Sequence, residues 1–149
     1  MATIITTSIT IHASPQTVWA HLMNPDELKH WLTGFVSYKP LTGTVGAPGS
    51  TSQLIFQERG KEVMVTETVL LSIPNQQFTS RMVSSAFSTE NDIRLVPSGA
   101  NTELVQTVHF TPHGFFMKLL APMIKGMMKK RTIEEFGRFK GLVERTLKQ

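Results

Sequence analysis

The chain has 149 residues and a formal net charge of +4, which suits one domain of ordinary size with a core of its own. It contains no cysteine, so disulfide bonds, zinc–thiolate sites and cysteine nucleophiles are excluded. Residues 1–10 lack the pattern of a signal peptide, and no window approaches the ~20 apolar residues of a membrane span. We therefore expect a single domain, residues 1–149, located in the cytoplasm.

Residues 9–31 predict a strand followed by two short helices. Ser14 stands where its side chain can accept the first free amide protons of a helix, and Pro15 occupies the first helical position, where its missing N–H costs nothing. Residues 24–27, Asn-Pro-Asp-Glu, interrupt this helix and favour a new start. Two helices in a V are therefore predicted rather than one.

Alternating apolar residues, separated by turn signals rich in Gly, Pro and Asn, predict the remaining strands. The connections between them are short, which favours antiparallel pairing of neighbours along the chain. The predicted strand ranges are 34–41, 50–58, 61–73, 76–84, 91–96 and 102–111.

From Phe115 onward the apolar period lengthens from two residues to nearly four, which predicts helix. Pro122 should break or kink it, leaving a short lead-in and a main helix over residues 123–148. Gly137 and Gly141 each lower helix propensity by about 1 kcal/mol relative to Ala, which indicates that a side chain there would obstruct a strand or a ligand. The predicted inward stripe comprises Met128, Thr132, Phe136, Phe139, Val143 and Leu147.

Four short motifs carry a resemblance to a known family: Ile11-His12-Ala13-Ser14-Pro15, Val18-Trp19, Asn24-Pro25 and Trp31. With them the sequence resembles the SRPBCC or START-like helix-grip superfamily, which includes birch-pollen-allergen-like proteins and a polyketide cyclase/dehydrase-like branch. The resemblance covers nearly the whole chain. It implies an α+β helix-grip fold: a curved seven-stranded antiparallel sheet around a long C-terminal helix, with two short helices after the first strand. It also implies a cavity between sheet and helix that holds a hydrophobic small molecule.

Glu67 interrupts an apolar face of the predicted strand 61–73, where it shares parity with Val65. If this face looks into a cavity, the carboxylate could bind a ligand hydroxyl or amine. With a raised pKa it could instead serve as a catalytic acid or base. The alternative is that Glu67 points to solvent or pairs with Arg81 or Arg94.

Gln106 poses the same question on the last strand, because it shares a face with Val108. An inward amide could bind a polar ligand group or could be a satisfied structural amide. Aromatic residues near the expected entrance could stack on a ligand or form ordinary core. The expected ligand-binding residues are Trp31, Phe35, Tyr38, Phe56, Val65, Glu67, Met82, Asn91, Gln106, Val108, Met128 and Phe136.

Histidine spacing shows no metal-binding pattern, so neither a metal nor a cofactor is expected. His30, beside Trp31, could lie at the cavity mouth, whereas His109 should face outward. The sequence contains no GxSxG, GxGxxG or P-loop motif, and nucleic acid is not an expected partner.

Soft apolar residues and lysines alternate over residues 115–131. This pattern suits a flexible lid, a partner groove or an interfacial helix, or it is only a solvated helix face.

We expect a non-catalytic protein that binds a lipid, polyketide or aromatic metabolite in its cavity, and Gly141→Leu should fill that cavity. One alternative is a cyclase- or dehydratase-like enzyme with Glu67 as its acid or base. A third possibility is a membrane- or chaperone-associated adaptor. The oligomeric state stays open.

Overall fold

A computed structural model describes residues 3–147. A short 3₁₀ turn, Pro25–Glu27, precedes the second helix. The strands and helices in chain order are β1 (Thr3–Ile11), α1 (Pro15–Leu22), α2 (Leu28–Trp31), β2 (Phe35–Thr42), β3 (Thr51–Glu58), β4 (Lys61–Ile73), β5 (Gln77–Val83), β6 (Phe87–Ser98), β7 (Asn101–Pro112), α3 (Phe115–Leu119) and α4 (Ala121–Leu147).

All seven strands belong to one antiparallel sheet in the order β1-β7-β6-β5-β4-β3-β2. Strands β2 to β7 follow one another as hairpins. Strand β1 pairs with β7, so the first and last strands of the chain lie side by side at one edge of the sheet. The sheet curves around the long helix α4. The predicted α+β helix-grip fold is confirmed.

The start of α1 is capped as predicted, and the 3₁₀ turn before α2 has a cap of its own. The Ser14 hydroxyl accepts a hydrogen bond of 3.2 Å from the backbone N–H of Thr17, and Pro15 is the first helical residue. The Asn24 side-chain oxygen then accepts one of 3.1 Å from the N–H of Asp26. Because the Ser14 contact joins near neighbours in the chain, local sequence was sufficient to predict it.

The buried core occupies one end of the sheet, where α1, α2 and α4 pack against β1, β6 and β7. Phe136, Phe139 and Val143 project from α4 into this core, and the last two are fully buried. The core therefore fixes the C-terminal half of α4 against the sheet. The N-terminal half of α4 and the rest of the concave sheet face enclose space instead.

Two predictions about α4 are wrong. Leu147 is 52% exposed, because the helix has passed its last core contact, at Val143. A Cβ at Gly137 or Gly141 would meet no atom within 4 Å, and neither glycine lines the cavity, so these glycines do not spare a strand or a cavity ligand from obstruction. Because Gly141 lies outside the cavity wall, Gly141→Leu would not fill the cavity.

The largest differences between predicted and observed boundaries occur at two elements. Helix α4 begins at Ala121, so Pro122 lies in its first turn, where its missing N–H is harmless. Strand β6 starts at Phe87 rather than residue 91, because residues 87–90 pair with the far end of β7. The predicted final residue of the helix, Lys148, lies outside the described residues.

Candidate functional site

A cavity of about 580 Å³ lies between the concave face of the sheet and helix α4. Inward side chains of β2 to β7 form its floor, α2 and the residues before it close one side, and the N-terminal half of α4 covers it. Most of the residues along the wall are apolar. Several apolar wall residues were not among the predicted ligand-binding residues, including Leu54, Val63, Val69, Phe78, Ile93, Phe110, Met117 and Ile124.

The structure brings together eleven of the twelve predicted ligand-binding residues along this wall; that they bind a ligand stays a prediction. Phe35 is the exception: it lies outside the wall and packs edge-on against Phe56, with ring centroids 6.2 Å apart. The eleven wall residues are Trp31, Tyr38, Phe56, Val65, Glu67, Met82, Asn91, Gln106, Val108, Met128 and Phe136.

Strand pairing explains why Glu67 faces the cavity. Alternate residues of β4 point to the same face, and Glu67 shares that face with the buried Val65 and Val69. Its direct neighbour on β5 is Met82, and Ser80 lies opposite Val69. The same alternation that buries the valines therefore carries a carboxyl group into the cavity.

Burial raises the pKa of the Glu67 carboxyl above its ordinary value of 4.5, although an interaction with the Ser80 hydroxyl opposes the rise. The side chain keeps some accessible surface, because it borders the cavity space. The alternative pairing with arginine is wrong: Arg81 lies 3.9 Å from Glu90, and Arg94 lies 2.9 Å from Asp92. Within residues 3–147, no basic side chain pairs with Glu67.

We expect Glu67→Gln to raise the free energy of unfolding at neutral pH. The folded-state pKa of Glu67 lies above the ordinary value of 4.5. The protonated carboxyl therefore stabilises the folded state at pH values below 4.5, and this stabilisation is lost as the pH rises through the raised pKa. In urea unfolding across the pH range, the free energy of unfolding of the variant should increase relative to that of the wild type as the pH rises. Glu62→Gln, at an exposed position of the same strand, is the matched control, and an equal gain at every pH would contradict the prediction.

Other polar groups of the wall are distributed over several elements. The Asn91 amide donates a hydrogen bond of 3.1 Å to the Thr89 hydroxyl. Gln106 faces the cavity from β7, and its side chain has no hydrogen-bond partner among the described residues. The Trp31 indole Nε1 is buried, likewise without an acceptor in residues 3–147. Among these groups, Gln106 is the one that lines the cavity without a partner from the described part of the protein.

An ion-pair network closes one end of the cavity. The Arg131 guanidinium of α4 contacts the Glu58 carboxylate at the end of β3 and lies 3.4 Å from the Glu135 carboxylate. Its Nη2 also donates a hydrogen bond of 2.7 Å to the Thr33 carbonyl oxygen. Burial alone would lower the pKa of Arg131, but the two carboxylates raise it, so the arginine stays charged.

Sequence reasoning missed this network. It placed Arg131 only in the basic segment after Phe115, and it did not consider Glu58. The alternation of β3 could have indicated the position of Glu58, because Glu58 shares a strand face with Phe56 and Leu54. The choice of partner across the cavity required the tertiary structure.

Neither histidine considered at the sequence level lines the cavity. His30 is exposed and is not part of the cavity wall, and His109 is exposed on the outer face of the sheet. Within residues 3–147, no group of three or more His, Cys, Asp and Glu residues is arranged to hold a metal ion. None of the helices in this part of the chain is long and apolar enough to cross a membrane.

Solved structures with the same fold span nearly the whole chain. Zhui aromatase/cyclase from Streptomyces sp. R1128 superposes with a TM-score of 0.84 at 15% identity, over 99% of this chain and 96% of that one. A START superfamily protein from Mycobacterium smegmatis gives 0.79 at 17% identity, over 96% and 98%. Ara h 8.0201 gives 0.76 at 12% identity, also over 96% and 98%. These likenesses establish the shared fold.

A comparison with curated protein sequences found no significant match. A family model gives the closer assignment, because it matches residues 2–144 and so covers every strand as well as the core half of α4. This chain belongs to the family described as polyketide cyclase / dehydrase and lipid transport.

Proposed function

We propose that this protein binds a hydrophobic or amphipathic small molecule in the cavity between the sheet and α4, without transforming it. The observation that carries the proposal is the cavity itself. Its volume of about 580 Å³ falls in the range of about 300–1,000 Å³ that is usual for small-molecule sites. Its mostly apolar wall with a few polar groups has the composition of such sites.

The polar groups of the wall restrict the chemistry of the ligand. The Gln106 amide lines the wall without a hydrogen-bond partner among the described residues, so a polar ligand group near it would satisfy a group that the protein leaves unpaired. Gln106 can donate or accept, and the raised pKa of Glu67 favours a neutral carboxyl that can do both. A lipid, polyketide or aromatic metabolite with hydroxyl or carbonyl groups fits these requirements.

Two measurements test the binding function. Native mass spectrometry of the purified protein should reveal a co-purified small molecule. Titration of the emptied protein with the fluorescent probe anilinonaphthalene sulfonate should show saturable binding of one molecule per chain. A protein that carries no molecule and gives no saturable probe signal would contradict the proposal.

A second candidate is a cyclase- or dehydratase-like enzyme, favoured by the carboxyl group of Glu67 inside the cavity. Burial shifts the pKa of Glu67 in the direction that a catalytic acid or base requires, and the cavity would hold a reactive polyketone chain in a folded conformation. Glu67→Gln should then reduce turnover of a polyketone substrate by about 10²–10⁴-fold while probe binding survives. Equal turnover by the variant and the wild type would exclude this role.

We further propose that residues 1–149 act as one ligand-binding domain in the cytoplasm. The absence of cysteine is compatible with a reducing compartment.

A further inference from the structure

A contiguous group of large apolar side chains is exposed on α3 and on the first two turns of α4. Phe115 is 82% exposed and Phe116 is 70% exposed, although both are aromatic. Leu119, Met123 and Met127 are 66%, 58% and 49% exposed. We call these five residues the α3–α4 patch.

This exposure differs from that of scattered surface residues. Single exposed apolar side chains are common, but contiguous ones indicate a surface that is covered by a partner. Phe115, Phe116 and Leu119 all belong to one five-residue helix, and Met123 and Met127 lie one turn apart on α4. The patch therefore presents phenylalanine, leucine and methionine together on one segment.

The charge around the patch identifies the partner. Lys118, Lys125, Lys129 and Lys130 are exposed, and none of them forms an ion pair with another described residue. The sequence has no Asp or Glu between residues 113 and 133. A partner that covers this patch must therefore have an apolar interior that accepts the apolar side chains and negative charges where the lysines contact it.

We propose that the α3–α4 patch docks on an anionic lipid bilayer. Phenylalanine, leucine and methionine side chains enter the boundary of the acyl chains, while the lysine ammonium groups reach the lipid phosphates. A second copy of this chain is a poorer partner. Each of the two faces would carry four lysines without an ion-pair partner, and the like charges of the two faces would repel one another.

The opposite side of the same segment borders the cavity. Met117, Ile124 and Met128 of this segment line the cavity wall, so docking brings a segment that forms part of the wall to the bilayer. Exchange of a ligand with the membrane by this route rests on the proposed function. Docking itself does not, because it depends only on the exposed residues.

Cosedimentation with vesicles tests the docking without any added hydrophobic ligand. The protein should sediment with vesicles of phosphatidylglycerol and phosphatidylcholine, bind phosphatidylcholine alone much more weakly, and be released by salt. The triple variant Lys125→Glu, Lys129→Glu, Lys130→Glu should weaken binding at least about a hundredfold. The double variant Phe115→Ser, Phe116→Ser should also weaken it at least about tenfold.

The control is a second triple variant, Lys29→Glu, Lys39→Glu, Lys61→Glu, which changes the net charge equally at exposed positions outside the patch. It should bind vesicles far better than the patch variant. Equal loss in both triple variants would reduce the effect to net charge and overturn the proposal. Absence of vesicle binding, or dimerisation that depends on Phe115 and Phe116, would also overturn it. Saturable probe binding in that case would leave the cavity function standing.

Discussion

Phe139→Ala is expected to lower the free energy of unfolding by about 3–5 kcal/mol. Phe139 is fully buried, and its ring centroid lies 5.0 Å from that of Trp31. It therefore joins α4 to α2 at the core end of the sheet. Removing the ring leaves a void among side chains that are fixed by the pairing of β1 with β7, so the surroundings cannot collapse fully.

Urea unfolding at neutral pH measures this effect. Leu147→Ala is the matched control, because Leu147 lies on the same helix but is 52% exposed; we expect it to change stability by less than about 0.5 kcal/mol. Phe139 is not part of the cavity wall, so its loss reports on core packing. A cost similar to that of Leu147→Ala would show that α4 is not anchored through this ring.

Val108→Phe is expected to weaken binding of anilinonaphthalene sulfonate at least about tenfold, which corresponds to about 1.4 kcal/mol. Val108 lies on β7 with its side chain on the cavity wall, between Ile5 of β1 and Asn91 of β6. The ring added at this position has empty cavity space to enter. It would then occupy volume that the probe needs, while the backbone pairing of β7 stays unchanged.

Val105→Phe is the matched control, because Val105 lies on the same strand and faces a shallow groove on the outer side of the sheet. It adds the same volume outside the cavity between the sheet and α4, so its probe affinity should equal that of the wild type. Circular dichroism and the unfolding midpoint establish that both variants fold. A folded Val108→Phe variant with unchanged affinity would place the probe outside the cavity.

The sequence by itself determined the features that depend on near neighbours in the chain. Ser14 and Pro15 start α1 because a hydroxyl and an N–H only three residues apart satisfy each other. The bounds of β4 match the prediction because turn signals lie directly at both ends of the strand. Alternation then placed Glu67 on the face of its valine neighbours, without knowledge of the other strands.

Only the tertiary structure decided which of these groups meet. Arg131 contacts Glu58 across 73 positions of sequence and Thr33 across 98, and no local pattern encodes such pairings. The early start of β6 depends on the extra length of β7 beside it. The exposure of Leu147 depends on where α4 passes its last core contact. Periodicity specifies the direction of a side chain, but the distance to a neighbouring element is set by long-range packing.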